Sequence, residues 1–163
     1  MLFVHNVDVV EDESLQYIYR SATCEIQRVS DALAIVEAMS SVQNNAEQID
    51  PFDIVFVDAD KTRLLDYVEA CLSSDKILKK GGFIIVDNVL WKGLVLDVGH
   101  FDSLNTVSSS VDSGMTDAEL KKSRRARKLA TIMHNFNSAI VQDNRVEVTL
   151  FPIRDGLSIL RKR

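Results

Sequence analysis

The chain has 163 residues, 46% of them hydrophobic and 26% charged, which is an ordinary balance for one globular domain. A net charge of −5 argues against nucleic acid as a partner, and no apolar run approaches the roughly 20 residues that cross a bilayer. The first ten residues lack the basic flank and cleavage site of a signal peptide, so we expect one cytoplasmic domain spanning residues 1–163, without a membrane partner.

The two cysteines, Cys24 and Cys71, have neither the spacing of a metal site nor the number needed for a disulfide framework. We expect both to be small apolar side chains in a reducing compartment. A redox role is the less favoured alternative.

The first third of the chain alternates between strand and helix patterns. Residues 2–10 are rich in β-branched side chains and predict a strand. Residues 11–19 begin with acids and predict a helix, as do residues 30–39, where Ser30 or Asp31 can cap the first turn. Residues 25–29 fit a short strand between them. The inward positions of the two helices are Leu15, Ile18, Tyr19, Leu33 and Val36, with Ile35 and Met39 as further candidates.

The middle of the chain contains the two strongest strand patterns, residues 52–57 and 83–86. Both are nearly continuous apolar runs, which is typical of strands covered on both faces. Residues 62–78 predict a helix between them with Leu65, Val68 and Leu72 inward, and the Gly81-Gly82 pair is expected to end it.

The last third begins with residues 93–113, whose Ser, Asp and Gly content predicts a loop. Residues 116–119 form a capping box that should start a long helix. Residues 146–151 and 157–160 then predict a hairpin around Asp155-Gly156. The inward positions of the long helix are Leu129, Ile132, Met133, Phe136 and Ile140.

Alternation of strands and helices predicts an α/β fold with a mostly parallel sheet and a C-terminal antiparallel hairpin. Sheets of this kind bind ligands at the carboxyl ends of their strands. Both strong strands end in polar residues there, Asp58 after the first and Asp87-Asn88 after the second.

Two carboxylates and an amide oxygen at one sheet edge are hard ligands suited to Mg²⁺ or another divalent cation. The alternative for each residue is that it only caps the turn that follows its strand. Three such residues at two neighbouring strand ends favour the metal site.

These residues lie in motifs that resemble the metal-dependent, S-adenosylmethionine-using O-methyltransferases of the catechol and caffeoyl-CoA type. Residues 56–61 read Phe-Val-Asp-Ala-Asp-Lys, and residues 86–93 read Val-Asp-Asn-Val-Leu-Trp-Lys-Gly. The Phe136-Asn137 pair and the closing Leu-Phe-Pro-Ile-Arg-Asp-Gly-Leu of residues 150–157 occur in the same order as in that family. The resemblance extends from about residue 7 to the end of the chain and implies a Rossmann-like methyltransferase sheet.

The resemblance also implies roles for individual residues. Asp58, Asp87 and Asn88 would hold the metal, whose shell the vicinal oxygens of a catechol-like or caffeoyl-type substrate would complete. Lys61 matches the lysine that takes the proton from the attacking oxygen, and a neighbouring cation would favour its neutral amine. Without the family match, a solvated lysine at a helix start would be the favoured interpretation. Trp91 would line the substrate pocket, with a core position as the alternative.

For S-adenosylmethionine, the resemblance implies a second set of contacts. Asp8 would accept hydrogen bonds from the ribose hydroxyls, and Asp31 and Ala32 would contact the adenine. Asp60 would reach the methionine amino group, and Asp58 belongs to this set as well as to the metal set. Considered alone, Asp8 is typical of an exposed turn and Asp31 of a helix cap.

The chain departs from the family pattern at its beginning. Enzymes of this class have a first strand and a glycine-rich turn before the strand that residues 2–9 resemble, whereas no glycine precedes Gly81 here. We therefore expect an incomplete domain: a fragment, an incomplete gene model or a degenerate paralogue. The lost central strand should leave a gap beside residues 52–57, with apolar surface exposed there.

Residues 121–128 place six basic side chains in eight positions. They predict a solvated helix face, with an acidic partner or a phosphate-bearing substrate as alternatives.

Three functions are compatible with these observations. The favoured one is an O-methyltransferase acting on a small hydroxylated aromatic substrate, with a homodimer as the expected assembly of relatives. The second is a non-catalytic remnant that pairs through an exposed sheet edge. The third, a nicotinamide-dependent dehydrogenase, lacks its glycine fingerprint and a catalytic Tyr or His in context.

Overall fold

A computed structural model describes residues 51–100 and 116–163, the helical residues Leu33, Ala34 and Val36, and the backbone of three N-terminal strands. The strands are β1 (Leu2–Val7), β2 (Leu15–Arg20), β3 (Glu25–Val29), β4 (Phe52–Asp58), β5 (Leu78–Asp87), β6 (Val146–Phe151) and β7 (Leu157–Lys162). The helices are the 3₁₀ turn Lys61–Arg63, α1 (Leu64–Leu72), the 3₁₀ segment Trp91–His100 and α2 (Asp117–Gln142).

Within these residues the strands form one sheet in the order β3-β2-β1-β4-β5-β7-β6. The three central strands, β1, β4 and β5, are parallel neighbours. Antiparallel pairs flank them, β2 and β3 on one side and the β7–β6 hairpin on the other. The α/β fold and the closing hairpin are confirmed, and the parallel pairing is confined to the centre of the sheet.

The N-terminal half of the sheet differs from the sequence prediction in two ways. The helix predicted over residues 11–19 is wrong, because Leu15–Arg20 is a strand paired with β1. The segment Leu15–Arg20 fits both the 3.6-residue period of a helix and the two-residue period of a strand. Its aromatic and β-branched side chains, Tyr17, Ile18 and Tyr19, favour the strand. The predicted gap beside β4 is also wrong, because β1 occupies that position and pairs Leu2 with Val55.

Helix α1 is shorter than predicted and presents a different face. It ends at Leu72, and its buried residues follow the spacing of an amphipathic helix. Val68 and Leu72 are buried as predicted, but Leu65 is 45% exposed and the prediction that it faces inward is wrong. The buried residues are Leu64, Tyr67, Val68, Ala70, Cys71 and Leu72.

The Gly81-Gly82 pair lies inside β5 and does not end a helix. The register between β4 and β5 shifts here, from Phe52 opposite Leu78 to Ile54 opposite Phe83. A Cβ on Gly82 would lie 2.9 Å from the Asp53 carbonyl oxygen, so the irregularity requires a residue without a side chain. The glycines therefore accommodate a close approach of two strands.

Helix α2 begins as predicted. The Thr116 hydroxyl accepts from the Glu119 amide, and the Glu119 carboxylate accepts from the Thr116 amide, which completes a capping box. Met133, Phe136 and Ile140 are buried, and so are Leu33 and Val36 of the earlier helix. These side chains pack in one core with Val55, Val57, Ile84 and Val86 of the central strands.

Lys162, at the end of β7, is buried and anchors that strand to the end of α1. Its ammonium donates to the carbonyl oxygens of Cys71, Ser74 and Leu78 at 3.2, 2.9 and 3.0 Å. It also lies 3.0 Å from an Asp75 carboxylate oxygen. One ammonium thereby satisfies a carbonyl in the last turn of α1, one just after the helix and one at the start of β5, although Lys162 is far away in the sequence.

Burial determines the chemistry of the Cys71 thiol. Loss of hydration raises its pKa to about 12, with the nearby Lys162 charge opposing the shift. The folded state therefore holds the thiol proton more tightly than the unfolded chain, whose thiol has a pKa of about 8.5. This contribution to stability is present below that pH and is lost as the pH rises towards the folded value.

We expect Cys71 to resist a maleimide reagent in the folded chain, because the thiolate is the nucleophile and burial suppresses it. A Cys24→Ser variant isolates this thiol, and mass spectrometry counts the adduct. Labelling should stay slow even at about pH 10, where exposed thiols are ionised, and should become complete in urea. Rapid labelling of the folded variant would contradict the burial of Cys71.

Candidate active site

The ends of β4 and β5 bring the two predicted carboxylates to one edge of the sheet. Val57 pairs with Val86 in parallel register, so Asp58 and Asp87 are the next residues of neighbouring strands. Val57 and Val86 are fully buried, while both aspartates are half-buried at the surface of the core. The predicted juxtaposition of Asp58 and Asp87 is confirmed, and Asn88 follows directly.

Lys61 joins the two strand ends. Its ammonium donates to Asp58 Oδ1 at 2.8 Å and to the Asp87 carbonyl oxygen at 3.4 Å. The 3₁₀ turn Lys61–Arg63 starts three residues after Asp58 and returns the lysine over the end of β4. The lysine side chain is 13% exposed, so this ion pair is largely shielded from water. The arrangement places a proton-carrying nitrogen between the two strands.

Asp60 begins the same turn as its N-cap. Its Oδ1 accepts from the Thr62 amide at 2.9 Å and from the Thr62 hydroxyl at 2.8 Å. These bonds fix the conformation of the loop between β4 and α1. The predicted contact of Asp60 with a cofactor amino group stays a prediction.

The turn after β5 has an unusual backbone. Asn88, Trp91 and Lys92 have positive φ angles of 64°, 45° and 57°, and Gly93 follows with 80°. Left-handed conformations cost roughly 1–2 kcal/mol for most side chains, and least for Asn and Gly. Residues held in such conformations cluster at functional sites, and their surroundings must compensate for the strain.

Several bonds hold this turn. The Asp87 carboxylate accepts from the Asn88 amide at 2.7 Å. The Leu90 and Val89 amides donate to the carbonyl oxygens of Asp155 and Gly156 at 2.8 and 3.2 Å. The β6–β7 connection thus supports the residues that follow Asp87 and Asn88.

Trp91 starts the segment Trp91–His100, two 3₁₀ pieces separated by a kink at Lys92 and Gly93, and this segment replaces the first part of the loop predicted over residues 93–113. Its side chain is half-buried and packs against the core, beside the predicted metal ligands. The position agrees with the core alternative and also leaves part of the ring at the surface. Its contact with substrate stays a prediction.

The donor chemistry of this edge fits a divalent cation. In the described part of the chain, no group of three or more His, Cys, Asp or Glu side chains is arranged to hold a metal. The expected set is a different one, two carboxylates and the Asn88 amide. The Lys61 ammonium lies against Asp58, so a metal ion at this edge would compete with it for that carboxylate.

Three of the predicted cofactor-binding residues, Asp8, Asp31 and Ala32, lie outside the described residues. The basic residues of the 121–128 run lie on the first turns of α2, and all except the half-buried Arg127 are exposed, as expected for a solvated face. Every helix that the structure describes is too short or too polar to span a bilayer.

Sequence reasoning assigned no role to Asn137 or Gly156, although both lie in family-like motifs. Asn137 Nδ2 donates to the Val89 carbonyl oxygen at 2.8 Å, and Gly156 packs against Leu90. The available signal was an asparagine next to Phe136 near the apolar face of the predicted helix, since an amide that becomes partly buried there requires a partner.

A family model described as O-methyltransferase matches residues 12–163. Caffeoyl-CoA O-methyltransferase 1 of Zea mays is 31% identical over 135 residues, which cover 83% of this chain and 43% of the maize protein. Tricin synthase 1 of Oryza sativa subsp. japonica is 31% identical over 111 residues, 68% of this chain and 35% of the rice protein. The match thus spans less than half the length of these relatives.

Solved structures show the same fold. The S-adenosylhomocysteine-bound methyltransferase of Podospora anserina has a TM-score of 0.58 at 22% identity, covering 82% of this chain and 47% of its own. A candidate caffeoyl-CoA O-methyltransferase of Staphylococcus aureus has a TM-score of 0.55 at 22% identity, covering 82% and 49%. The sheet is therefore Rossmann-like, as in S-adenosylmethionine-dependent methyltransferases, and the chain belongs to the O-methyltransferase family.

Proposed function

We propose that this chain forms the metal and substrate side of an S-adenosylmethionine-dependent O-methyltransferase. The substrate would be a hydroxyl of a catechol-like or caffeoyl-type compound. The observation that carries this proposal is the meeting of Asp58, Lys61 and Asp87 at the carboxyl ends of β4 and β5. The relatives support the substrate class, since several are caffeoyl-CoA O-methyltransferases.

In this proposal Asp58, Asp87 and Asn88 hold the divalent cation. A bound cation of this kind favours the ionised form of a coordinated hydroxyl. The three oxygen donors leave room for substrate oxygens, because Mg²⁺ usually keeps several positions for water or substrate. The rigid strand ends fix Asp58 and Asp87, and the supported turn fixes Asn88.

Lys61 is the proposed proton acceptor for the substrate hydroxyl. Nζ now donates to Asp58 Oδ1 as an ammonium, which has no lone pair. It must therefore first release a proton to solvent and turn from Asp58 to the substrate, after which the neutral amine can accept the substrate proton. The short turn from Asp60 keeps Nζ within reach of the same edge. Most of the remaining contribution is alignment, since transfer requires the oxygen, the methyl carbon and the sulfur in line.

The cofactor side of the proposal rests on Asp8, Asp31, Ala32, Asp58 and Asp60. The family membership and the S-adenosylhomocysteine-bound structure with the same fold support S-adenosylmethionine as the methyl donor. A cytoplasmic location, a homodimer and the absence of a nucleic-acid partner stay proposals of the same kind.

The test is calorimetric titration of S-adenosylmethionine and of catechol into the chain, with and without Mg²⁺. We expect catechol binding to require Mg²⁺ and to be lost in Asp87→Ala. Asp53→Ala is the matched control, because Asp53 is an exposed β4 carboxylate, 76% accessible and paired with Lys79. Its binding should equal that of the unaltered chain.

Two outcomes would contradict the proposal. Catechol binding that is independent of Mg²⁺ and of Asp87 would show that no metal at this site takes part in binding the substrate. A folded chain that binds neither S-adenosylmethionine nor Mg²⁺ would favour the non-catalytic remnant. Such a remnant would pair through an outer edge of the sheet, because β1 fills the position beside β4.

A further inference from the structure

The turn that carries Asn88 is held by two segments far from it in the sequence. Helix α2 contributes Asn137, and the β6–β7 connection contributes Asp155 and Gly156. Neither segment supplies an atom to the proposed metal set. Both contact Val89 or Leu90, the residues immediately after Asn88.

The first contact is a side-chain bond. Asn137 Nδ2 donates to the Val89 carbonyl oxygen at 2.8 Å. Among the described residues, the buried Asn137 Oδ1 has no hydrogen-bond partner. An amide with an unsatisfied buried acceptor is costly compared with an apolar side chain of similar size. The asparagine is therefore poorly explained by packing alone, and its hydrogen bond to Val89 is what distinguishes it from leucine.

The second contact is a close approach. Gly156 has a φ of 86°, and a Cβ placed there would overlap Leu90 Cγ and lie 2.8 Å from the Leu90 amide nitrogen. The absence of a side chain lets the backbones approach, so that the Val89 amide can donate to the Gly156 carbonyl oxygen. A larger residue would push the turn away.

We propose that Asn137 and Gly156 are positioning residues that hold the turn after β5 in its left-handed conformation. They contact different groups of the turn, Asn137 the Val89 carbonyl and the Gly156 segment the neighbouring amides. In doing so they fix where the Asn88 side chain points. The consequence for metal binding rests on the proposed function, whereas the effect on the turn does not.

The test compares Asn137→Leu with the unaltered chain. Leucine has the same branching and removes both the donor and the unsatisfied acceptor, but it leaves the buried Val89 carbonyl oxygen without this bond, so we expect a modest fall in the melting temperature. We expect the Val89 and Leu90 amides to exchange with deuterium at least about tenfold faster, because local opening loses an opposing bond. Mn²⁺ affinity, measured by calorimetry, should fall about tenfold, as for other residues that orient metal ligands. Asn135→Leu, the same change on an exposed position of α2, should alter neither quantity.

The two measurements separate the inference from the proposed function. Unchanged amide exchange in Asn137→Leu would overturn the positioning role, whatever the metal affinity. Faster exchange in a chain whose unaltered form binds no Mn²⁺ would support the positioning role and count against the metal site. If Asn137→Leu fails to fold, Asn137→Ser retains a small donor and should show a weaker form of the same acceleration. Asn137→Ala, whose side chain has no donor, should show the full acceleration, and normal exchange in both variants overturns the role.

Discussion

Replacing Lys61 with methionine should slow methyl transfer by about 10²–10⁴-fold, the usual contribution of a positioned proton acceptor. Methionine keeps the length and the apolar stem but has no nitrogen to accept the proton. Mn²⁺ binding should be at least as tight as in the unaltered chain, because the ammonium now paired with Asp58 is removed. Transfer of labelled methyl from S-adenosylmethionine to a catechol acceptor and calorimetric titration of Mn²⁺ measure the two effects.

Lys80→Met is the matched control, since Lys80 is an exposed lysine on β5 and its loss should leave both quantities unchanged. Full activity of Lys61→Met would show that another group accepts the proton. Loss of Mn²⁺ binding along with activity would show that Lys61 instead maintains the geometry of Asp58. Either outcome removes Lys61 from the role of proton acceptor.

Gly156→Ala should lower the free energy of unfolding by about 3 kcal/mol, through a left-handed alanine and a clash with Leu90. Gly93→Ala provides the matched control, because its φ of 80° is similar and nothing lies within 4 Å of the added Cβ. Gly93→Ala should lower the free energy of unfolding by only about 1 kcal/mol, because it introduces a left-handed alanine without a clash. Urea unfolding of both variants measures the difference, which isolates the clash.

Equal costs for the two glycine variants would mean that the turn moves away from Gly156 without resistance. The close contact would then contribute little to the rigidity of the site. A cost at Gly156 that exceeds the cost at Gly93 by about 2 kcal/mol would instead show that the packing resists displacement.

The sequence alone determined the features that depend on neighbouring residues. Residues 52–57 and 83–86 are short apolar runs that end in acids, so both the strands and the edge that carries Asp58 and Asp87 could be predicted. The capping box at Thr116 and the final hairpin were predicted for the same reason, since their signals lie within a few residues. Parallel pairing of successive strands then brought Asp58 and Asp87 together.

Only the tertiary structure decided what depends on contacts between distant residues. The apolar side chains of residues 15–20 have a spacing that fits both a helix and a strand. These residues form a strand because their backbone pairs with β1. The position of β1 beside β4 likewise follows from hydrogen bonds between segments about 50 residues apart. The bonds from Asn137 to Val89 and from Lys162 to the end of α1 span 48 and up to 91 residues. A local pattern specifies which residues face the core, but the partner of a buried polar group is fixed only when the chain has folded around it.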